Sequence, residues 1–351
     1  LLAHGPPPYG DHRQKAWITR EAKMKSTLFA RVAAAALAAA GIAAGIDARP
    51  AAAQDFPNRA MRVLIGFPAG SGADILGRHF TTKLAELSGQ PVVVENRPGA
   101  NSNIAIGLVK NSKPDGYTML LVANANMALN KWLFKSLPFD TVKDFTPVAA
   151  WAQLGFVFVV SPGSKINSIA ELTAFLKSNP QAKYGTTNQT AIVSTAYYMQ
   201  LAGVKATNVP YRTAPDAMPD VANGTLDFMI MDGTFAQGQI RQSKLKPLAV
   251  TSTWRIAGMP NVPTMDESGF KGFDFAPWWA TYVPVGTPKP VVDKLEGWFQ
   301  KIAGLPETKE YLEKIASVPL LDGSAATAKR LQADIDKYGP VIKAAGIEPQ
   351  D

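Results

Sequence analysis

Three apolar runs near the start of the chain, RVLIGF (62–67), VVVEN (92–96) and TMLLVAN (118–124), restrict its fold more than any other feature. Each has strand length and little polar alternation, so each must be covered on both faces. Between the first two, residues 74–88 place Leu76, Phe80, Leu84 and Leu87 on one helical stripe, and Gly89 closes that helix. Strand–helix–strand alternation with buried strands implies an α/β fold built on a parallel sheet with helices on both faces. A second unit starts near FVFVVSP (156–162). There Ser168 and Glu171 are spaced as a capping box for a helix that buries Leu172, Phe175 and Leu176 and stops before Pro180. A short strand toward YGTT (184–187), a helix through Tyr197 to Leu201, NVPYR (208–212), DFMIMD (227–232) and KPLAVTS (246–252) follow. After a Gly/Pro-rich passage the chain reaches WWATYVPV (278–285) and two helices, one carrying Leu295, Trp298, Phe299 and Ile302. A last helix carries Leu331, Ile335 and Tyr338 and ends near Gly346. These late helices lack a long strand series of their own, so they should pack back on the first unit. We therefore expect a discontinuous first domain (54–155 and 275–351) and an inserted second domain (156–274). Ligands of open α/β sheets bind beyond the carboxyl ends of the strands, so two such lobes facing each other form a cleft.

The first apolar run breaks into VLIGFPAGSGAD (63–74), a strand feeding a glycine loop and then a helix. Helix N-terminal amides point outward at such a place, and glycine lets the backbone approach an anion closely. A P-loop needs G-x-x-x-x-G-K-[ST], and no lysine stands in this loop. A dinucleotide fingerprint needs G-x-G-x-x-G; Gly70 and Gly72 match and Glu95 ends the next strand, but Ile75 takes the third position. Two readings of the loop remain open: a small carboxylate held by the amides of Gly70, Ser71 and Gly72, or a plain tight turn.

Met24 begins a segment with Lys25 and Arg31 as a basic head, an alanine-rich stretch from Val32 to Ile46, and Ala51-Ala52-Ala53 before Gln54. That is the pattern of a secretory signal peptide over 24–53, cleaved before Gln54. Its apolar stretch falls short of the roughly 20 residues that cross a bilayer. Residues 1–23 are read as a mis-assigned start or appended residues, not as a domain. We expect export to the periplasm. The chain carries net charge +8; seven basic and three acidic residues fall in 1–53, which leaves +4, scattered without a basic run. Nucleic acid is therefore not an expected partner. Of three histidines only His79 lies beyond the leader, and there is no cysteine. Thiol nucleophiles and Cys/His zinc sites are excluded, and no G-x-S-x-G elbow supplies a triad serine. His79, beside Arg78 in the helix after the loop, reads as a surface or packing residue. No metal and no cofactor is expected.

FPAGSGAD with Arg78, GQPVVVENRPGANSNIA (89–105), PDGYTMLL (114–121) and LPFDTVKDFTPVA (137–149) stand in one order with VPYR (209–212) and LAVTS (248–252). NVPTMDESGF (261–270) and VPVGTPKPVVDKL (283–295) complete the series. Over about 57–350 the chain resembles the Bug family, the periplasmic solute-binding receptors of tripartite tricarboxylate transporters. The resemblance implies a two-domain Venus-flytrap receptor that closes on a small carboxylated solute and hands it to membrane transporter subunits. It implies that the loop after the first strand holds a carboxylate, mapped here to Phe67, Ala69, Gly70, Ser71, Gly72 and Asp74. The opposing loop maps to Thr186, Thr187, Asn188, Gln189, Thr190 and Ala191. Family members usually have a Gly/Ser-rich loop there with a histidine in the next helix; this chain has neither. Thr213 also replaces the glycine that commonly follows VPYR.

Other candidates keep two readings each. Tyr211 donates to a ligand oxygen or caps the sheet, and Arg212 draws in an anion or is simply solvated. Asn124 and Asn126 reach the cleft or only form turns. Trp278 and Trp279 wall the cleft or pack the core and hinge. Asp232 ends a strand on the cleft side, where it would repel an anion unless the ligand offered it an amino or hydroxyl group. We expect a monomeric receptor that does no chemistry. An exported α/β enzyme using carboxylates in the same cleft, and a receptor feeding signalling, are the alternatives.

Overall fold

The structure, a computed structural model, describes residues 56–350. The expected signal peptide at 24–53, its cleavage before Gln54 and the segment 1–23 lie outside the described residues.

The first lobe opens with β1 (Met61–Ile65), α1 (Gly72–Ser88), β2 (Val92–Asn96), α2 (Asn103–Lys110) and β3 (Thr118–Ala123). Helix α1 behaves as its stripe requires: Leu76, Phe80 and Leu84 are buried, Ser71 caps its start, and Gly89 ends it at φ 69°. A glycine suits that left-handed C-terminal turn because it has no Cβ to strain. Two short turns, α3 (Asn124–Ala128) and α4 (Asn130–Leu133), lead to β4 (Phe145–Leu154), which passes through Gly155 directly into β5 (Phe156–Val160).

The second lobe continues with α5 (Ile169–Ser178), β6 (Lys183–Thr186), α6 (Gln189–Ala202), β7 (Thr207–Pro210) and α7 (Ala214–Ala222). It closes with β8 (Phe228–Asp232), α8 (Gly233–Arg241) and β9 (Lys246–Val250). The chain then returns as β10 (Trp278–Pro284), followed by α9 (Lys289–Gly304), α10 (Pro306–Lys314), β11 (Ser317–Gly323) and α11 (Ser324–Ala344). Two sheets result, ordered β11-β4-β10-β3-β1-β2 and β7-β6-β8-β5-β9. Every residue of β5 and of β10 is buried, so these two strands lie at the heart of their lobes.

Three expectations need correction. The sheets are mixed, not parallel: β1 pairs in parallel with β2 and β3, but β10 runs antiparallel to β3 and β4. In the second sheet β5 is antiparallel to β8 and β9. Direction is forced only where a helix crosses over between neighbours, and β10 and β5 arrive from the other lobe by a single passage. Two strands, β4 and β11, were absent from the sequence reading. Finally, the capping box at Ser168 is half formed. Ser168 Oγ accepts from the Glu171 amide at 3.1 Å, but Glu171 reaches the Asn167 amide at 2.7 Å, one residue before the cap. A complete box sits instead at Thr213 and Asp216.

The lobes are tied where β4 becomes β5. Gly155 donates to Ala316 O at 3.1 Å and accepts from Gly233 N at 2.8 Å, which pins one crossing residue to both lobes. A Cβ on Gly155 would stand 2.7 Å from the Ile256 Cδ1, so a side chain there would have to displace Ile256. The last helix buries Leu331, Ile335 and Tyr338; it lies against β4 and β11 of the first sheet and also against α6 of the second lobe.

Candidate functional site

A cavity of about 760 Å³ opens between the two sheets. Three helix starts face it. Ser71 and Gly72 come from the start of α1, Asn188 caps α6, and Asp232 caps α8 with Thr234 behind it. Amides in the first turn of a helix have no acceptor within the helix and carry the positive end of its dipole. Among the described residues, no lysine or arginine lines the cavity. An anion held there must be held by neutral donors.

The loop before α1 is braced by its own acid. Asp74 accepts from Gly70 N at 2.8 Å, from Arg78 Nε at 3.0 Å and from Asn96 Nδ2 at 2.9 Å. Its amide donates to Ser71 Oγ at 3.3 Å. Burial works against the charge, but Arg78, the Gly70 amide and Asn96 together hold the carboxyl below its ordinary range. Asp74 and the Gly70 amide are thus spent on shaping the loop, and the Ser71 amide goes to Pro68 O at 3.2 Å. The first-turn amides of Gly72 and Ala73 are the ones left to face a ligand. Phe67 lies on the cavity wall, whereas Ala69 and Gly70 are exposed and are not among its lining residues.

Asn188 is the part of the opposing loop that lines this cavity. Thr186 is buried and its hydroxyl donates to Asn208 Oδ1 at 2.8 Å. Ala191 is buried and its amide is taken by Asn188 Oδ1 at 2.9 Å. Thr187 receives a long bond of 3.4 Å from Asn188 Nδ2. Gln189 reaches across to the first lobe, where Asn101 Nδ2 bonds its Oε1. Thr190 lines a separate gap of only about 10 Å³, together with Asn124 and Tyr338. Gln189 and Thr190 therefore join the lobes.

Asn124 and Asn126 follow β3 as expected, but both turn inward. Asn124 Nδ2 donates to Asp334 Oδ2 at 2.6 Å, and its Oδ1 accepts from Trp278 N at 3.1 Å. Asn126 Nδ2 donates to Asn101 O at 3.0 Å and supports a turn in which Ala100, Asn101 and Ser102 all have positive φ. Tyr211 is not among the residues lining the cavity; its hydroxyl donates to Asp220 of α7 at 2.5 Å, and burial, then Asp220, push its pKa up to about 12. The tryptophan pair divides. Trp278 is buried with Nε1 on Asp334 Oδ2 at 2.8 Å, and Trp279 lines the cavity 5.5 Å from the Phe67 ring.

Asp232 is the acid that faces the cavity. It accepts from Phe235 N at 2.9 Å. Burial raises its pKa, offset in part by the amides of Phe235 and Thr234, and no cation is among its partners. His79 packs against Tyr311 with ring centroids 4.3 Å apart and bonds Thr308 Oγ1 at 2.9 Å. Burial, then the Lys83 charge, lowers its pKa, so it stays neutral at neutral pH. No group of three or more potential metal ligands occurs among the described residues. Sequence reasoning missed the apolar walls: Leu154, Phe235, Tyr311 and Ile315 carry no motif, and only their place in the fold brings them here.

Residues 76–347 match the family model described as the tripartite tricarboxylate transporter family receptor. BugT of Bordetella pertussis is 28% identical over 316 residues, covering 89% of this chain and 95% of that protein. A solved R. palustris protein with adipate is 28% identical with a TM-score of 0.74, covering 84% of this chain and all of that one. MatC from Rhodopseudomonas palustris, solved with bound malate, is 25% identical with a TM-score of 0.69 over 82% of this chain and all of that one.

Proposed function

The chain belongs to the tripartite tricarboxylate transporter family of receptors, and on that premise we propose that it captures a small carboxylate in the cavity between its lobes. The observation that carries this reading is the convergence of three helix starts on a cavity of about 760 Å³ with no cationic side chain among the described residues that line it. The carboxylate sits at the start of α1, on the Gly72 and Ala73 amides beside Ser71, while Asn188 closes from the second lobe. Amide donors to a charged acceptor make short, strong bonds, and excluding water from the cleft strengthens them further. The adipate and malate of the two solved relatives support a carboxylate solute.

The protein then works in the periplasm as a monomer, exported on the 24–53 leader, and releases its solute unchanged to the membrane subunits of a tripartite transporter. Incubating candidate solutes with the protein and recovering them intact tests the absence of turnover; a converted product would move the site to the exported-enzyme reading.

The binding test is thermal unfolding after the protein has been unfolded, dialysed and refolded to strip carried-over solute. The panel holds mono-, di- and tricarboxylates, aromatic carboxylates and acidic amino acids, with NAD and ATP as controls. A solute at about 100 times its Kd adds roughly 2.7 kcal/mol, a rise of several degrees. A selective rise with one carboxylate class is expected. A response confined to nucleotides or neutral compounds would overturn the proposal.

A further inference from the structure

The cavity is chemically lopsided. Most of its wall is apolar or aromatic, with Phe67, Leu154, Phe235, Trp279, Tyr311 and Ile315 among the contributors. The rings are held in place by further packing. Trp279 lies 6.4 Å from buried Trp151 at an interplanar angle of 28°, and Tyr311 stacks on His79 at 8°. Flat, immobilised rings favour a flat apolar partner in offset or edge contact. The polar groups are fewer: the α1 start and Ser317 on one lobe, and Asn188, Asp232, Thr234 and Gln239 on the other, with the Thr234 and Ser317 hydroxyls both donating to Ile315 O.

A second carboxylate on the solute would find only neutral donors here, such as the Gln239 amide. Among the described residues no lysine or arginine lines the cavity to meet it, and Asp232 would repel it. Burying an unpaired carboxylate against aromatic rings is strongly unfavourable. A hydroxyl or amino group, by contrast, would find in Asp232 an acceptor whose present partners are backbone amides. Volume argues the same way, since about 760 Å³ is large for a four-carbon acid. It lies within the range that holds ring-bearing ligands.

We propose, resting on the receptor reading above, that the solute is an aromatic monocarboxylate bearing a hydroxyl or amino group. Its carboxylate lies at Ser71–Ala73, its ring among Phe67, Phe235 and Trp279, and its donor on Asp232.

Calorimetric titration of the refolded protein tests this with 4-hydroxybenzoate, 4-hydroxycinnamate, benzoate, 4-hydroxybenzamide, adipate and malate. The hydroxylated aromatic acids should bind about tenfold more tightly than benzoate, the worth of one hydrogen bond to a charged group. Adipate and malate should be weaker still. Asp232→Ser keeps a cap for α8 while removing the carboxylate, and should erase the hydroxyl advantage while benzoate binds somewhat more tightly, freed of the repulsion. Phe235→Leu, a milder change, should weaken the aromatic acids about fivefold and adipate by less. Tightest binding of adipate or malate would overturn the aromatic assignment and leave the carboxylate receptor standing. Equal affinity for benzoate and its hydroxylated forms would remove Asp232 from the proposal and overturn it. Binding of 4-hydroxybenzamide with no response to any carboxylate, or no binding of the whole set, would bring down the aromatic assignment; in the amide case the receptor reading falls with it.

Discussion

Helices α1 and α8 meet the cavity from opposite lobes with openings of similar make-up, an oxygen-bearing cap followed by glycine: Ser71-Gly72 in one, Asp232-Gly233 in the other. The glycines serve different ends. A Cβ on Gly72 would meet nothing within 4 Å, so its bareness leaves space for a ligand. A Cβ on Gly233 would stand 2.5 Å from Gly155 O and 2.8 Å from the Ala316 Cβ, so its bareness lets α8 seat against the lobe crossing. The nearby acids differ as sharply. Asp74, two residues into α1, is paired with Arg78 and held below its ordinary pKa, whereas Asp232 has only amides and is pushed upward. One helix start is a rigid cradle with an internal ion pair, and the other leaves a carboxylate for chemistry.

Gly233→Ala should have the largest effect. The clash is with backbone oxygen, which no rotamer change can relieve, so we expect a loss near the top of the overpacking range, about 3 kcal/mol. Urea unfolding would show it as a lower midpoint with an unchanged slope; a variant as stable as the parent would mean the crossing is pliable. Asp74→Asn comes next. It keeps an acceptor for the Gly70 amide but removes the charge opposite Arg78. The Arg78 side chain is 49% exposed and can return to water. The loss should therefore be about 2 kcal/mol, below the 3–5 kcal/mol of a fully buried broken pair.

Most strands, and helix α1 with its glycine stop, were legible because apolar runs and the 3.6-residue stripe report burial directly. Strand β4 was not, because FTPVAAWAQL mixes small and polar residues in a run whose partners, β10 and β11, come more than a hundred positions later. At the site, the glycine loop announced Ser71 and Gly72, strand-end position announced Asp232, and the family resemblance added Phe67 and Asn188. Asn124, Thr186 and Tyr211 looked equally suitable. Their side chains are taken by Asp334, Asn208 and Asp220, pairings that only tertiary folding creates. The Trp278–Trp279 pair shows the limit clearly. Alternation along a strand requires the two rings to point to opposite faces, yet nothing local says which face is the cavity.

Gly72→Ala sharpens the contrast between the glycines. With open space around the added methyl, stability should stay level or rise by up to about 1 kcal/mol. Carboxylate affinity should fall, since the methyl lies where the ligand meets the α1 amides. Calorimetry and urea unfolding on the same sample would separate the two effects. A drop in stability equal to that of Gly233→Ala would erase the distinction drawn between the two positions.

Asp232→Asn should have the smallest effect, and its pH dependence is the sharpest test of the two acids. Asn and Asp cap helices about equally well, so only the charge changes. A carboxyl whose folded pKa is raised favours folding fully below its unfolded value near 3.9, and that contribution is lost as pH rises through the folded pKa. The burial-raised Asp232 therefore costs stability at pH 7. Asp232→Asn should be slightly more stable than the parent there, and within about 0.5 kcal/mol of it at pH 4 and below. Asp74 has the opposite sign, because its lowered pKa gives a contribution present above about 4 and lost as pH falls through the folded value. The Asp74→Asn deficit should thus shrink on acidification, just where the Asp232→Asn advantage disappears. Urea midpoints from pH 3 to pH 8 for both variants would settle the pair. Parallel profiles would mean that the two carboxylates share one electrostatic environment, and that Asp232 is not the uncompensated acid awaiting a donor from the solute.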